Sequence, residues 1–227
     1  IMEQIIKTIG VNRFFPMPNG KKFQALKDIS IEIPQGKLTI LKGRSGSGKT
    51  TLMNILGALD TASSGEVYFE NDNFSTMRES RRCRVRRKKV GFIFQSVALI
   101  PTMSAYENVE FSLRLANYKG RRRERVIECL RMVGLESRMN HMPQELSGGE
   151  QQRVAIARAI AHKPMVIFAD EPTAELDTNT ALMIVKIFKT LTDKEGATIV
   201  MTTHDTGLMD VGDKVYELED GGLVERE

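Results

Sequence analysis

The stretch Gly43-Arg44-Ser45-Gly46-Ser47-Gly48-Lys49-Thr50, GRSGSGKT, constrains this chain more than any other part of it. An apolar run, KLTIL, leads into it and KTTLMNILGAL leads out, so a strand has to end and a helix begin across one short turn. Gly43, Gly46 and Gly48 allow the backbone to curl with successive N–H groups pointing inward, which makes a cradle for phosphate oxygens. At the end of such a cradle the Lys49 ammonium can neutralise β- and γ-phosphates, and the Thr50 hydroxyl can ligate Mg²⁺. The loop residues Arg44, Ser45 and Ser47 contribute amides, and Thr51 follows in the first helical turn. A nucleotide and Mg²⁺ are therefore the expected cofactors.

A length of 227 residues fits one domain, with or without a large insertion, and 41% apolar against 27% charged residues is an ordinary globular balance. No apolar run approaches the ~18–20 residues needed to cross a bilayer, and the start lacks a signal-peptide layout. The expectation is a cytoplasmic chain. Cys83 and Cys129 match no metal or disulfide spacing, so both read as reduced thiols. The net charge of +4 is gathered mainly in RESRRCRVRRKK (Arg78–Lys89) and KGRRRER (Lys119–Arg125). Such runs fit a solvated helix face, anionic lipid or nucleic acid, but no aromatic residues interleave them to stack bases.

From Glu3 to Phe69 the pattern is rich in strands and turns: ALKDISIEI alternates, and Asn19-Gly20 signals a hairpin. Val97 to Glu145 reads as helical, with amphipathic SAYENVEFSLRLANY and RRERVIECLRMVGL. From Pro164 strands and helices alternate again as MVIFAD, NTALMIVKIFKTLTDKEG, ATIVMTTH and KVYELEDG. That alternation predicts an α/β fold with a mostly parallel sheet.

MVIFADEP ends a strand in two carboxylates, placing Asp170 to hold Mg²⁺ through water and Glu171 to orient or deprotonate an attacking water. Gln95, expected to end the strand VGFIFQ, and His204, ending TIVMTTH, are ambiguous taken singly. LSGGEQQR adds a second anion-ready helix start, with Ser147, Gly148 and Gly149 at its mouth.

The phosphate loop, FQ, LSGGEQQR, FADEP, AELD and TTHD follow one another in one chain. Together they resemble the ATP-binding subunit of ATP-binding-cassette (ABC) transporters over essentially the whole length. In that family LSGGQ is the signature, and only its fifth position departs here, as Glu150. The resemblance implies an ATP hydrolase with a P-loop NTPase fold of the ABC type: a mostly parallel core, an antiparallel β subdomain and an inserted α-helical subdomain. One domain over 1–227 is expected, with 1–95 and 161–227 as RecA-like core plus β subdomain and 96–160 as the helical part. It also implies a head-to-tail dimer with ATP between phosphate loop and opposing signature, so that each site serves a different subunit's ATP.

By the same resemblance Gln95 senses metal and water, His204 supports the γ-phosphate and Glu171, and the Asp177 loop crosses the dimer interface. Glu175, two before Asp177, stands where small or uncharged residues are frequent. An aromatic of the first strands should stack on adenine; Phe15 is the choice, with Phe14 next. The span KVGFIFQSVALIPTMSAYENVEFSL is similar to cassettes of lipoprotein-release, macrolide-export and haem-export systems, whose membrane partners are FtsX-like permeases. The expected partners are such a permease and a second copy, with weak contact to anionic headgroups and no nucleic acid. An amino-acid-type importer ATPase and a soluble ABC-type ATPase acting on nucleic acid stay open as alternatives.

Overall fold

The computed structural model describes residues 3–174, 176–204 and 206–224. The chain begins with a long strand β1 (Gln4–Pro16), then β2 (Lys22–Ile29), β3 (Glu32–Pro34) and β4 (Leu38–Lys42). After the phosphate loop come α1 (Lys49–Leu56), β5 (Ser64–Phe69), β6 (Asp72–Asn73), α2 (Glu79–Lys89) and β7 (Val90–Ile93). Three helices follow, α3 (Ala105–Leu115), α4 (Arg122–Met132) and α5 (Gly148–Ile160). The chain then alternates through β8 (Val166–Ala169), α6 (Thr178–Glu195), β9 (Thr198–Thr203), β10 (Lys214–Glu219) and β11 (Gly222–Leu223).

These strands make two sheets. One is antiparallel, in the order β2-β1-β5-β6 with β3 also paired to β1. The other runs β11-β10-β4-β9-β8-β7, parallel throughout except at β11. Apolar strands of a parallel sheet need cover on both faces, and their side chains divide accordingly. Leu38 and Ile40, Ile167 and Ala169, and Ile199 and Met201 join a core with α3, α4, α5 and α6. Leu41, Val166, Phe168 and Val200 join a second core with α1 and the antiparallel sheet. Each such fully buried branched or aromatic side chain contributes roughly 1.5–3 kcal/mol relative to exposure.

Local chemistry fixes the helix ends. Ser104 and Glu107 form a reciprocal capping box at α3, and Gly196, at φ 66°, stops α6 in the left-handed conformation. Behind α5 the buried Arg125 guanidinium donates to the carbonyls of Ala161 and Ile160 at 3.0 and 3.1 Å, tying α4 to the end of α5. Gly91 lets α5 approach β7 closely, since a Cβ there would lie 2.5 Å from the Ala159 carbonyl oxygen.

The alternating run ALKDISIEI divides between β2 and β3: Asp28 turns left-handed at φ 52°, and the chain breaks after Ile29. Thr8 bridges the break, its hydroxyl donating to Ile29 O and accepting from Ile31 N. The strand VGFIFQ ends at Ile93, not at Gln95, because its partner β8 ends opposite at Ala169 and Asp170 N closes the ladder on Ile93 O.

Candidate functional site

Consecutive parallel strands deliver their C-terminal ends to one edge of the larger sheet, and the phosphate loop, the two carboxylates and His204 all sit there. A cavity of about 710 Å³ opens at this edge. Its lining includes Phe15, Arg44, Ser45, Gly46, Gly48, Lys49, Thr50, Thr51, Gln95, Glu171 and His204. Gly43 and Ser47 belong to the same loop without lining the cavity, and Asp170 sits at the strand end beside Glu171.

The loop is shaped for a guest. Gly48 is the N-cap of α1 with φ 101°, and a Cβ there would lie 2.8 Å from Ala25 O. No side chain caps α1 and no acidic residue stands in its first turn, so the amides and the positive end of the helix are left to an anion. Lys49, only 5% exposed, folds back onto this cradle, its Nζ donating to Gly43 O at 2.8 Å and Arg44 O at 3.0 Å. The same Nζ lies 3.6 Å from Glu171 Oε1.

Glu171 is held from three sides. Its backbone adopts φ 43°, a conformation uncommon for a side-chain-bearing residue. Its N–H donates to the Thr202 hydroxyl at 2.8 Å, and that hydroxyl donates to Asp170 Oδ1 at 2.6 Å. Its other carboxylate oxygen lies 3.2 Å from His204 Nδ1. Thr202 therefore sets the angle between the two acids. Sequence reasoning missed it, although TIVMTTH does put a hydroxyl one strand away from FADE.

Phe15 lines the cavity with the Arg13 guanidinium 4.6 Å from its ring centroid; Phe14 is not part of the lining. Phe23, unremarked in the sequence, pairs with Phe15 across β1 and β2 and lines the same cavity, 54% exposed. Opposed positions on an antiparallel pair share a face, so a paired-strand reading of RFFPMPNGKKF could have found it.

Ser147, Gly148 and Gly149 are absent from this lining. They start α5, whose N-terminus is closed by a capping box. The Ser147 hydroxyl accepts from Glu150 N at 3.2 Å, and the Glu150 carboxylate accepts from Ser147 N at 2.9 Å. These bonds hold the Glu150 carboxyl below its ordinary range, the Ser147 backbone bond first and Arg138 and Arg153 adding attraction. The fifth signature position is therefore an ionised cap. The Ser-x-x-Glu spacing was the available signal.

Asp177 caps α6, accepting from Asn179 N, Thr180 N and the Thr180 hydroxyl, and the last of these leads in lowering its pKa. Thr180 also packs against the signature turn: a Cβ on Gly149 would lie 3.1 Å from its methyl group. The buried Gln152 amide donates to Pro172 O, and Arg158 donates to Ala98 O at 2.8 Å. The signature helix is thereby tied to the segment after Glu171 and to the loop after Gln95. Glu175 and Asp205 lie outside the described residues.

The basic run forms α2, with only Val85 buried. Arg81 pairs with Asp72, Arg82 and Arg86 with Glu79, and Lys89 with Glu70. Arg84, Arg87 and Lys88 have no acidic partner among the described residues and form an exposed strip. Cys83 and Cys129 are free, and burial pushes the Cys129 thiol up to about 12. No helix of the described residues is long and apolar enough to cross a membrane.

The chain is similar to known proteins over most of its length. The ABC transporter family model matches residues 26–174. An uncharacterized ABC transporter ATP-binding protein of Methanocaldococcus jannaschii is 48% identical over 88% of this chain and 90% of its own length. The lipoprotein-releasing system ATP-binding protein LolD of Francisella tularensis is 44% identical over 87% of each. A solved dimeric structure of the ATP-binding cassette MJ0796, in a post-hydrolysis state bound to ADP and Pi, superposes with a TM-score of 0.91 at 40% identity, covering 98% of this chain and 97% of that one. With the phosphate loop, paired acids and second helix start on one α/β frame, the chain belongs to the ABC transporter ATP-binding proteins and is an ATP hydrolase of that family.

Proposed function

We propose that this chain is the cytoplasmic ATPase subunit of an export or mechanotransmission system, working as a head-to-tail pair on an FtsX-like permease. The observation that carries the pairing is the separation of the two anion-ready helix starts: the signature turn does not line the chain's own nucleotide cavity. A second subunit's ATP gives that turn a ligand. The likeness to a lipoprotein-releasing cassette supports the subgroup. The division into a core over 1–95 and 161–227 and a helical part over 96–160 belongs to the same proposal.

In this reading the loop amides of Gly43 to Gly48 and Lys49 bind the phosphates, and Phe15 stacks on adenine. An arriving phosphate draws Lys49 Nζ off the Gly43 and Arg44 carbonyls and away from Glu171. Glu171 Oε1 is then free to accept a hydrogen bond from water, while His204 keeps Oε2 oriented. The carboxylate takes the proton as the water oxygen attacks the γ-phosphorus and ADP leaves. Gly148 and Gly149 of the opposing subunit donate their amides to the γ-phosphate, and the Asp177 segment packs at the joint.

Thr50, Asp170 and Gln95 offer a hydroxyl, a carboxylate with one oxygen free of Thr202, and an amide oxygen. An all-oxygen set with few carboxylates suits Mg²⁺, whose remaining positions go to phosphate and water. When bound, the ion neutralises charge on the β- and γ-phosphate oxygens.

Affinity purification of the tagged chain from its native membranes tests the assignment. The expected result is co-purification of an FtsX-like permease whose presence changes ATP turnover. Recovery with an importer permease would replace the subgroup, and recovery on nucleic acid without a membrane protein would replace the transporter reading.

A further inference from the structure

The signature turn carries its own anion, and something has to keep that charge from repelling the γ-phosphate it is meant to meet. Glu150 lies in the first turn of α5, bonded to Ser147 N through one oxygen. Its other oxygen lies 3.5 Å from Arg138 Nε. Arg138 is exposed, but its backbone is well anchored. It ends a 3₁₀ turn, Glu136–Arg138, and the following residues dock on the start of α3, with Ala105 N donating to His141 O at 2.9 Å and Tyr106 N to Met139 O at 2.8 Å. The guanidinium also lies 3.1 Å from His141 Nε2, a second contact beside the carboxylate. Arg153, one turn along α5, is the other cation acting on Glu150, with the weaker pull.

We propose that Arg138 is a positioning residue for the ATP sandwich: it holds the Glu150 carboxylate in its capping geometry and neutralises it, so that the Gly148 and Gly149 amides present a net attraction to the partner's γ-phosphate. The proposal rests on the head-to-tail reading above. A neutral side chain at the fifth position would need no such counter-charge. The pair is half-exposed, so its direct contribution to folding is small; its effect falls on the approach of a second, multiply charged anion. Removing Arg138 leaves Glu150 with only the weaker pull of Arg153 as counter-charge beside each bound γ-phosphate, and a dimer contains two such places.

The test uses the full chain carrying Glu171→Gln, with ATP-dependent dimerisation followed by sedimentation velocity and nucleotide affinity of the monomer measured alongside. Adding Arg138→Ala is expected to raise the ATP concentration for half-maximal dimerisation about fivefold, with nucleotide affinity of the monomer unchanged. Arg138→Lys keeps the charge and should recover most of the loss. Adding Glu150→Gln to Arg138→Ala removes the charge that needed compensation, and should return dimerisation to the parent level. An Arg138→Ala variant that dimerises like its parent overturns the proposal. So does a loss that Glu150→Gln fails to rescue, because the arginine would then act through structure alone. A Glu171→Gln parent that stays monomeric at saturating ATP overturns the sandwich reading itself, and the role of the pair with it.

Discussion

The chain has two helix starts rich in glycine, and they are built in opposite ways. At α1 the cap is a left-handed glycine with no capping side chain and no acid in the first turn, and a buried lysine leans on carbonyl oxygens. At α5 a serine and a glutamate satisfy one another's backbone donors, and Arg138 balances the added charge. The first is unsatisfied until an anion arrives. The second is stable alone and has only part of its donor set to offer. A site that owns its phosphate can be left incomplete; a turn that waits for another subunit's phosphate has to survive without it.

If that contrast is right, damage at the two starts should separate. Lys49→Ala removes the buried cation of the first, and ATP turnover should fall by at least about a hundredfold in a coupled phosphate-release assay on contaminant-free protein. Turnover like the parent's would break the assignment. Ser147→Ala strips the second start of its cap and should lower unfolding stability by ~1 kcal/mol in denaturant melts, while nucleotide affinity of the monomer stays unchanged. A drop in that affinity would mean that the two starts share one site after all.

The smallest effect concerns pH. The Glu150 carboxyl is lowered in the folded chain from an ordinary value of 4.5. Its cap therefore contributes stability above that value, which is lost as pH falls through the lower folded pKa. Glu150→Gln should flatten the acid limb of the melting-temperature profile slightly, whereas α1, with no acid in its first turn, has no counterpart. An unchanged acid limb would remove the ionised cap from the account.

Much of this is legible in the sequence alone. The phosphate loop announces its glycines, and the apolar strands announce a doubly covered sheet because Leu38, Ile40 and Leu41 have to divide between two faces. The double role of Glu150 was legible only in part. Its capping spacing is local, but its counter-charge comes from a turn twelve residues upstream that docks on α3, and no local pattern encodes that approach. Phe23 and Thr202 are similar cases: each earns its place through a strand pairing, with Phe15 and with the Asp170–Glu171 turn. The end of β7 falls short of Gln95 for the same reason, since Phe94 continues the apolar pattern past the point where the neighbouring strand stops.

The head-to-tail division of labour between the two starts is tested most directly by Glu171→Gln, which keeps side-chain shape and removes the carboxylate base. With saturating ATP this variant, measured alone and on its permease, should accumulate as closed cassette pairs. Adding Ser147→Arg should separate them while each monomer still binds ATP, because a bulky cation then fills the signature turn and leaves the phosphate loop untouched. Cassettes that remain apart on the permease with Glu171→Gln alone, or pairs indifferent to Ser147→Arg, would contradict it.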